Sequence, residues 1–158
     1  MTSIRPAGDA DMAAVADLWH EGWHDAHAGH VPDGLTAART LAAFHERTPR
    51  RVADTAVAVA EDGELLGFVM VVGDEVEQVF VGRAARGTGL APLLLAEAER
   101  RVAAGGHVSA WLAVVTGNAR ARAFYEKQGW TDSGDLPYEV TAAGQKWTSP
   151  CRRYVKSV

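Results

Sequence analysis

Apolar and polar positions recur along this chain with two periods, and the points where one gives way to the other mark out its elements. Ser3-Ile4-Arg5-Pro6 reads as a short opening strand. From Asp9 to His20 the apolar residues Met12, Val15, Ala16 and Trp19 fall three and four apart, which is the stripe of a helix face. Thr36 is placed to cap a second helix that runs to about Arg47 and is stopped by Pro49. Two β-rich runs, Thr55 to Ala60 and Leu65 to Val72, flank Glu61-Asp62-Gly63-Glu64, whose Asp-Gly step predicts a hairpin turn. Glu75 to Val81 is the next strand, and Leu90 to about Ala104 is a central helix closed by Gly105-Gly106. Ala110 to Val115 is nearly all apolar, as suits a strand covered on both faces. Asn118 opens a helix that ends at Gly129, and the remainder supplies two more strands, the last around Arg152 to Val155. No repeat or low-complexity linker interrupts the 158 residues, so residues 1–158 are expected to form one domain.

Composition narrows the function classes. With 47% hydrophobic and 23% charged residues the chain can bury a core of ordinary size. A net charge of -4 argues against general affinity for nucleic acid or a membrane surface, so any cluster of arginines marks a local anion site. The lone cysteine, Cys151, cannot form an internal disulfide, and no apolar run is long enough for a signal peptide or a membrane span. A cytoplasmic protein is expected.

The most informative stretch follows the strand that ends at Val81. Arg86-Gly87-Thr88-Gly89-Leu90-Ala91 leads straight into the leucine-rich helix. Glycines at 87 and 89 let the backbone turn sharply and bring N–H groups close to an anion, and the opening of a helix adds unpaired N–H groups and the positive end of its dipole. Pro92 fits the first helical turn, where its missing donor costs nothing. Arg86 adds a permanent charge that can fork onto phosphate oxygens. Two familiar phosphate loops do not fit. A P-loop requires Gly-Lys-Ser/Thr where this chain has Gly89-Leu90-Ala91, and a dinucleotide fingerprint requires a third glycine where it has Pro92.

What this segment resembles is the acyl-CoA-binding signature of the GNAT superfamily of N-acetyltransferases, R/Q-x-x-G-x-G/A, with Arg86, Gly89 and Ala91 in its fixed places. A second stretch, Asn118-Ala119-Arg120-Ala121-Arg122-Ala123-Phe124-Tyr125-Glu126-Lys127-Gln128-Gly129-Trp130, resembles the family's N-x-x-A-x-x-F-Y-x-x-x-G-F segment, with Trp130 where Phe is usual. The resemblance implies an α/β fold with a mixed central sheet of six to seven strands flanked by about four helices. It further implies acetyl-CoA as co-substrate, no metal, a small-molecule amine as acceptor, and the possibility of a homodimer. Two central strands would splay, with the pantetheine arm in the gap. By resemblance, Phe80, Val81, Arg83, Arg86, Gly87, Thr88, Gly89, Leu90, Ala91, Asn118 and Tyr125 would hold the cofactor.

Acetyl transfer from a thioester to an amine needs an uncharged nucleophile, support for the oxyanion and a proton or hydrogen bond for the departing thiolate. Tyr125 lies two helical turns after Asn118, hence on the same side of the helix, and the resemblance points it at the sulfur. For the base, strand alternation places Glu75, Glu77, Val79 and Val81 on one face, with Glu77 ranked first because it sits deeper in the strand. A water chain is the alternative. Histidines at 20, 24, 27 and 30 have helical spacing that could suggest a metal, but Gly22 and Gly29 are read as breaking the helix. Trp19, Trp23, His24 and His27 are instead expected to shape the acceptor pocket, whose aromatic and carboxylate groups would suit a cationic amine. Protein lysines or N-termini are the competing acceptors, and a CoA-binding module without turnover is the competing function.

Overall fold

The computed structural model describes residues 2–158. Seven strands form one sheet in the order β1-β2-β3-β4-β5-β7-β6. They are β1 (Ser3–Pro6), β2 (Thr55–Val59), β3 (Leu65–Val72), β4 (Glu75–Val81), β5 (Ser109–Val115), β6 (Thr131–Ala142) and β7 (Gln145–Ser157). Every neighbouring pair is antiparallel except β4 and β5, which run parallel. A parallel pair requires a crossover, and helix α4 (Leu90–Ala104) provides it.

Both faces of the sheet are covered, which explains why β2 is buried along its whole length. On one face α1 (Met12–His27), α2 (Asp33–Ala38) and α3 (Leu41–Arg47) bury Val15, Trp19, Leu35 and Phe44 against Val57, Phe68 and Met70. On the other, α4 contributes Leu90, Leu94, Leu95, Ala98 and Val102, spaced to lie on one stripe, against Ala56, Ala58, Val69 and Leu112. Helix α5 (Ala119–Lys127) packs Ala121, Phe124 and Tyr125 into this second cluster.

Three expectations from the sequence give way here. The first concerns α1, which continues through Gly22 to His27 rather than stopping near His20. A Cβ at position 22 would stand 2.5 Å from Cδ1 of Phe80, so this glycine lets α1 cross β4 at close range. The roughly 1 kcal/mol that glycine costs a helix interior is offset by that contact. The second concerns the helix expected from Thr36 to Arg47, which is in fact two. The cap is Thr40, whose hydroxyl accepts a hydrogen bond from the Ala43 N–H at 3.1 Å, while Thr36 lies inside α2. The third concerns β4. Met70 pairs with Gln78 but Val71 pairs with Val76, so β4 carries one extra residue at Glu77. This bulge inverts the alternation beyond it. Val79 and Val81 pack toward α4, while Glu75 and Glu77 reach Tyr138 and Arg51 on the α1 side. The two glutamates do share a side, but not with the valines.

Candidate active site

Strands β4 and β5 pair only at Glu75 and Trp111 and then part. Beyond that point the N–H and C=O groups of β4 that face β5 have no strand partner, and a cleft of about 410 Å³ opens between the strands. Its wall includes residues of β4 from Glu75 to Val81, residues of β5 from Leu112 to Val115, Asn118 and Tyr125 of the α5 segment, and Trp23 and His27 of α1.

At one end lies the glycine loop. Gly87 and Gly89 have φ of +77° and +83°, and a Cβ at either would meet nothing within 4 Å, so the loop faces open space. Among the described residues, the N–H groups of Gly87, Gly89, Leu90 and Ala91 find no acceptor, and no side chain caps α4. These free donors at a helix start form an anion cradle. Gly87, Gly89, Leu90, Ala91 and Pro92 line it together with Arg86 and Arg120. Arg120, in the first turn of α5, was missed by the sequence reading although it stands two residues after Asn118. Arg86 is held by Asp25 of α1 at 2.9 Å, and Arg83 by Asp25 at 2.8 Å and Glu21 at 3.1 Å. Arg83 therefore lies on the rim, outside the cleft wall, and the Thr88 hydroxyl turns back to donate to the Ala85 carbonyl.

Midway, Asn118 caps α5 by accepting from the Ala121 N–H at 3.1 Å. Arg122 anchors this turn by donating to the Thr116 carbonyl at 3.1 Å. The Tyr125 ring packs against Phe124, Trp130 and Tyr154, and its hydroxyl has no hydrogen-bond partner among the described residues. Burial pushes the phenol up to about 12. Tyr125 thus stays protonated and keeps an unused donor on the cleft wall.

At the far end, Glu75 accepts a 2.8 Å hydrogen bond from the Tyr138 hydroxyl. Burial raises its carboxyl above the ordinary range, the Tyr138 hydrogen bond opposes this, and the charges of Glu77 and Asp74 add to it. Glu77 is engaged by Arg51 at 2.8 Å. Cys151 on β7 also lines this end, and burial raises its thiol, which donates to the Ser149 hydroxyl at 3.5 Å.

The four aromatic and histidine residues expected at the acceptor pocket divide. Trp19 is 0% exposed and Trp23 6%, and both touch the cleft from its floor. His27 stacks on Trp23 at 4.5 Å, donates from Nδ1 to the Trp23 carbonyl at 2.8 Å and lies in the wall. Burial lowers it to about 4, so it is neutral at physiological pH. His24 turns away and donates to the Arg39 carbonyl at 2.7 Å. Among the described residues no three metal-ligating side chains converge. Each of the two tryptophans expected to receive a cation already carries an arginine of the chain over its ring. Arg47 covers Trp19 at 4.3 Å, and Arg39 lies over Trp23 at 5.8 Å.

The fold recurs among solved structures. A GCN5-related N-acetyltransferase structure from Rhodopseudomonas palustris superposes with a TM-score of 0.77 at 20% identity, over 100% of this chain and 96% of that one. The PaiA N-acetyltransferase of Thermoplasma acidophilum, solved in complex with coenzyme A, superposes with a TM-score of 0.73 at 17% identity, over 100% and 99%. An uncharacterized N-acetyltransferase of Mycobacterium bovis is 30% identical over 120 residues, covering 72% of this chain and 75% of its own. Residues 14–130 match the pattern of the Acetyltransferase (GNAT) family, and the chain belongs to that family. No helix among the described residues is long and apolar enough to cross a membrane.

Proposed function

We propose that this protein transfers an acetyl group from acetyl-CoA directly to the primary amine of a small molecule, in a ternary complex. One observation carries the reading: two adjoining cavities that share Val81, Arg86, Ala91 and Arg120 run from the free amides of the glycine loop, past the unused Tyr125 hydroxyl, to the Glu75 carboxylate. The loop amides, Arg86 and Arg120 take the diphosphate, and the unpaired main-chain groups of β4 take the amides of the pantetheine arm. Coenzyme A in the PaiA structure supports the choice of cofactor.

Glu75 is the preferred base. It is partly desolvated and has a raised pKa, whereas Glu77 is occupied by Arg51. An amine enters as ammonium, with a pKa near 10, and becomes nucleophilic only after losing a proton, which Glu75 accepts directly or through water. Main-chain N–H groups of β4 facing the gap are available to the thioester oxyanion. Tyr125 supports the departing sulfur as a hydrogen-bond donor. Full proton transfer from a phenol near 12 to a thiolate near 8.5 is uphill by roughly 4 to 5 kcal/mol. A covalent acetyl-cysteine route is disfavoured, since the raised Cys151 pKa keeps it as thiol.

A thiol-release assay with acetyl-CoA and a panel of amines, amino acids, aminoglycosides and lysine peptides tests the proposal. Release that depends on an amine supports it. CoA binding without amine-stimulated release would instead identify a CoA-binding module.

A further inference from the structure

Resting on the acetyltransferase reading, the acceptor end of the cleft has a charge balance that selects among amines. Two arginines line it, Arg39 at the end of α2 and Arg47 at the end of α3, and a third, Arg51 in the 3-10 turn that follows, reaches its wall through Glu77. Arg51 is neutralised by Glu77 and Asp54, at 2.8 and 3.0 Å. Arg39 and Arg47 have no such partner: no carboxylate among the described residues lies within ion-pair distance of either. Arg39 is only 8% exposed, and its Nε is cut off from solvent with no acceptor. Each guanidinium is held over a tryptophan, Arg39 over Trp23 and Arg47 over Trp19, so both are fixed in place against the cleft.

Buried cations without counter-ions are held against their solvation cost and against each other. Burial depresses both; on the half-buried Arg47 the charges of Arg39 and Arg51 add to the effect and the more distant Glu77 opposes it, leaving it at about 10. Across the cleft stands Glu75, among the described residues the one carboxylate of the lining not paired to an arginine, bonded instead to Tyr138. The open groups therefore sum to one positive charge, two arginines against Glu75. An amino acid enters as a zwitterion: its carboxylate offsets the charge of one arginine, and its ammonium meets Glu75, which takes up that proton before attack. A cationic polyamine would meet two unshielded arginines.

We infer that Arg39 and Arg47 form an acid-binding clamp, and that the acceptor is a small amino acid type molecule whose carboxylate or other oxyacid lies on these arginines while its amine faces Glu75. Planar guanidinium forks suit carboxylate, phosphonate and phosphinate oxygens alike.

The test compares matched acceptors with the wild-type enzyme: an amino acid, its decarboxylated amine, its carboxamide and its aminophosphonate counterpart. The clamp predicts that kcat/KM for at least one acid exceeds that of its decarboxylated or amidated partner by about 10- to 100-fold, the range for losing charged hydrogen bonds. The carboxylate and phosphonate arms tell which acid is preferred. In Arg47→Met the ratio of acid to decarboxylated amine should collapse toward one, and in Arg39→Lys, which keeps the charge but loses the guanidinium fork, it should fall part of the way, with CoA binding by calorimetry confirming that each variant is folded. Wild-type enzyme that acetylates the decarboxylated amine, or a lysine peptide, as well as every free acid would overturn the clamp while leaving the acetyltransferase reading intact. No CoA binding and no amine-dependent thiol release at all would remove both.

Discussion

The two ends of the cleft are built in opposite ways. The end proposed for the cofactor uses main chain: free amides of one loop and one helix start, opened by two glycines with positive φ. The acceptor end uses side chains brought from α1, α2, α3, β4, β6 and β7, several of them charged and partly buried. A diphosphate needs only donors at a fixed spacing, which a short segment can encode. An amine that must be recognised and deprotonated needs groups of both signs at chosen depths, and the fold has to assemble those from afar.

That contrast can be broken most severely at Gly89. Gly89→Val would force a branched side chain into a left-handed conformation and into the space above the loop, so CoA affinity should fall by about a hundredfold or more. Calorimetry checks the affinity, and a thermal melt separates it from unfolding. Retained affinity would deny that the loop is a cradle. Tyr125→Phe comes next, where the contrast predicts lost turnover with retained CoA binding. A fall of about 10²–10³ in kcat is the range for removing one donor to a developing anion, and an unchanged kcat would show that the hydroxyl is idle.

Acid should attack the two ends unequally. His27 is held near 4 in the folded protein against an ordinary value near 6.5, so the unfolded chain binds the extra proton first as pH drops. Its contribution is therefore intact above about pH 6.5 and lost by about pH 4, amounting to at most about 3 kcal/mol. Denaturant titrations across that window should show the loss, and His27→Gln should flatten it. An equal slope in the variant would assign the effect elsewhere.

A smaller effect is expected at the base. Glu75 must be ionised to accept a proton, so activity should rise with pH through its raised pKa and then level. Glu75→Gln should reduce kcat by about 100-fold and remove that acidic limb. Glu77→Gln should keep the limb, and the reverse pattern in pH–rate profiles would exchange their roles. Least affected should be Arg86→Ala. Asp25 already occupies the guanidinium and must release it, so CoA affinity should weaken by only about 1 to 2 kcal/mol, measured by the same calorimetry.

The difference between the ends also sets what could be read from the sequence. The strand before the loop, the loop and helix α4 all depend on neighbours in sequence, and their boundaries agree with the structure: Glu75–Val81 and Leu90–Ala104. Asn118 as the start of α5 was legible for the same reason. Gly22 was misread because its purpose is the approach of Phe80, a residue 58 positions away, and a glycine in a helical stripe looks like a break until that neighbour is known. The bulge at Glu77 left no mark on the alternation, since glutamates and valines occupy the strand either way. Arg39, Arg47, Tyr138 and Arg120 reach the cleft only through tertiary packing. An arginine near the end of a short helix has an ordinary local reason to be there, favouring the helix dipole, and nothing local says that it is buried.

A structure of the protein with bound CoA is the most direct test of the cleft assignment. The diphosphate oxygens should lie about 2.7–3.2 Å from the amide nitrogens of Gly87, Gly89 and the first turn of α4, with the CoA sulfur within hydrogen-bonding reach of the Tyr125 hydroxyl. CoA seated away from the gap between β4 and β5, or a sulfur far from Tyr125, would contradict it.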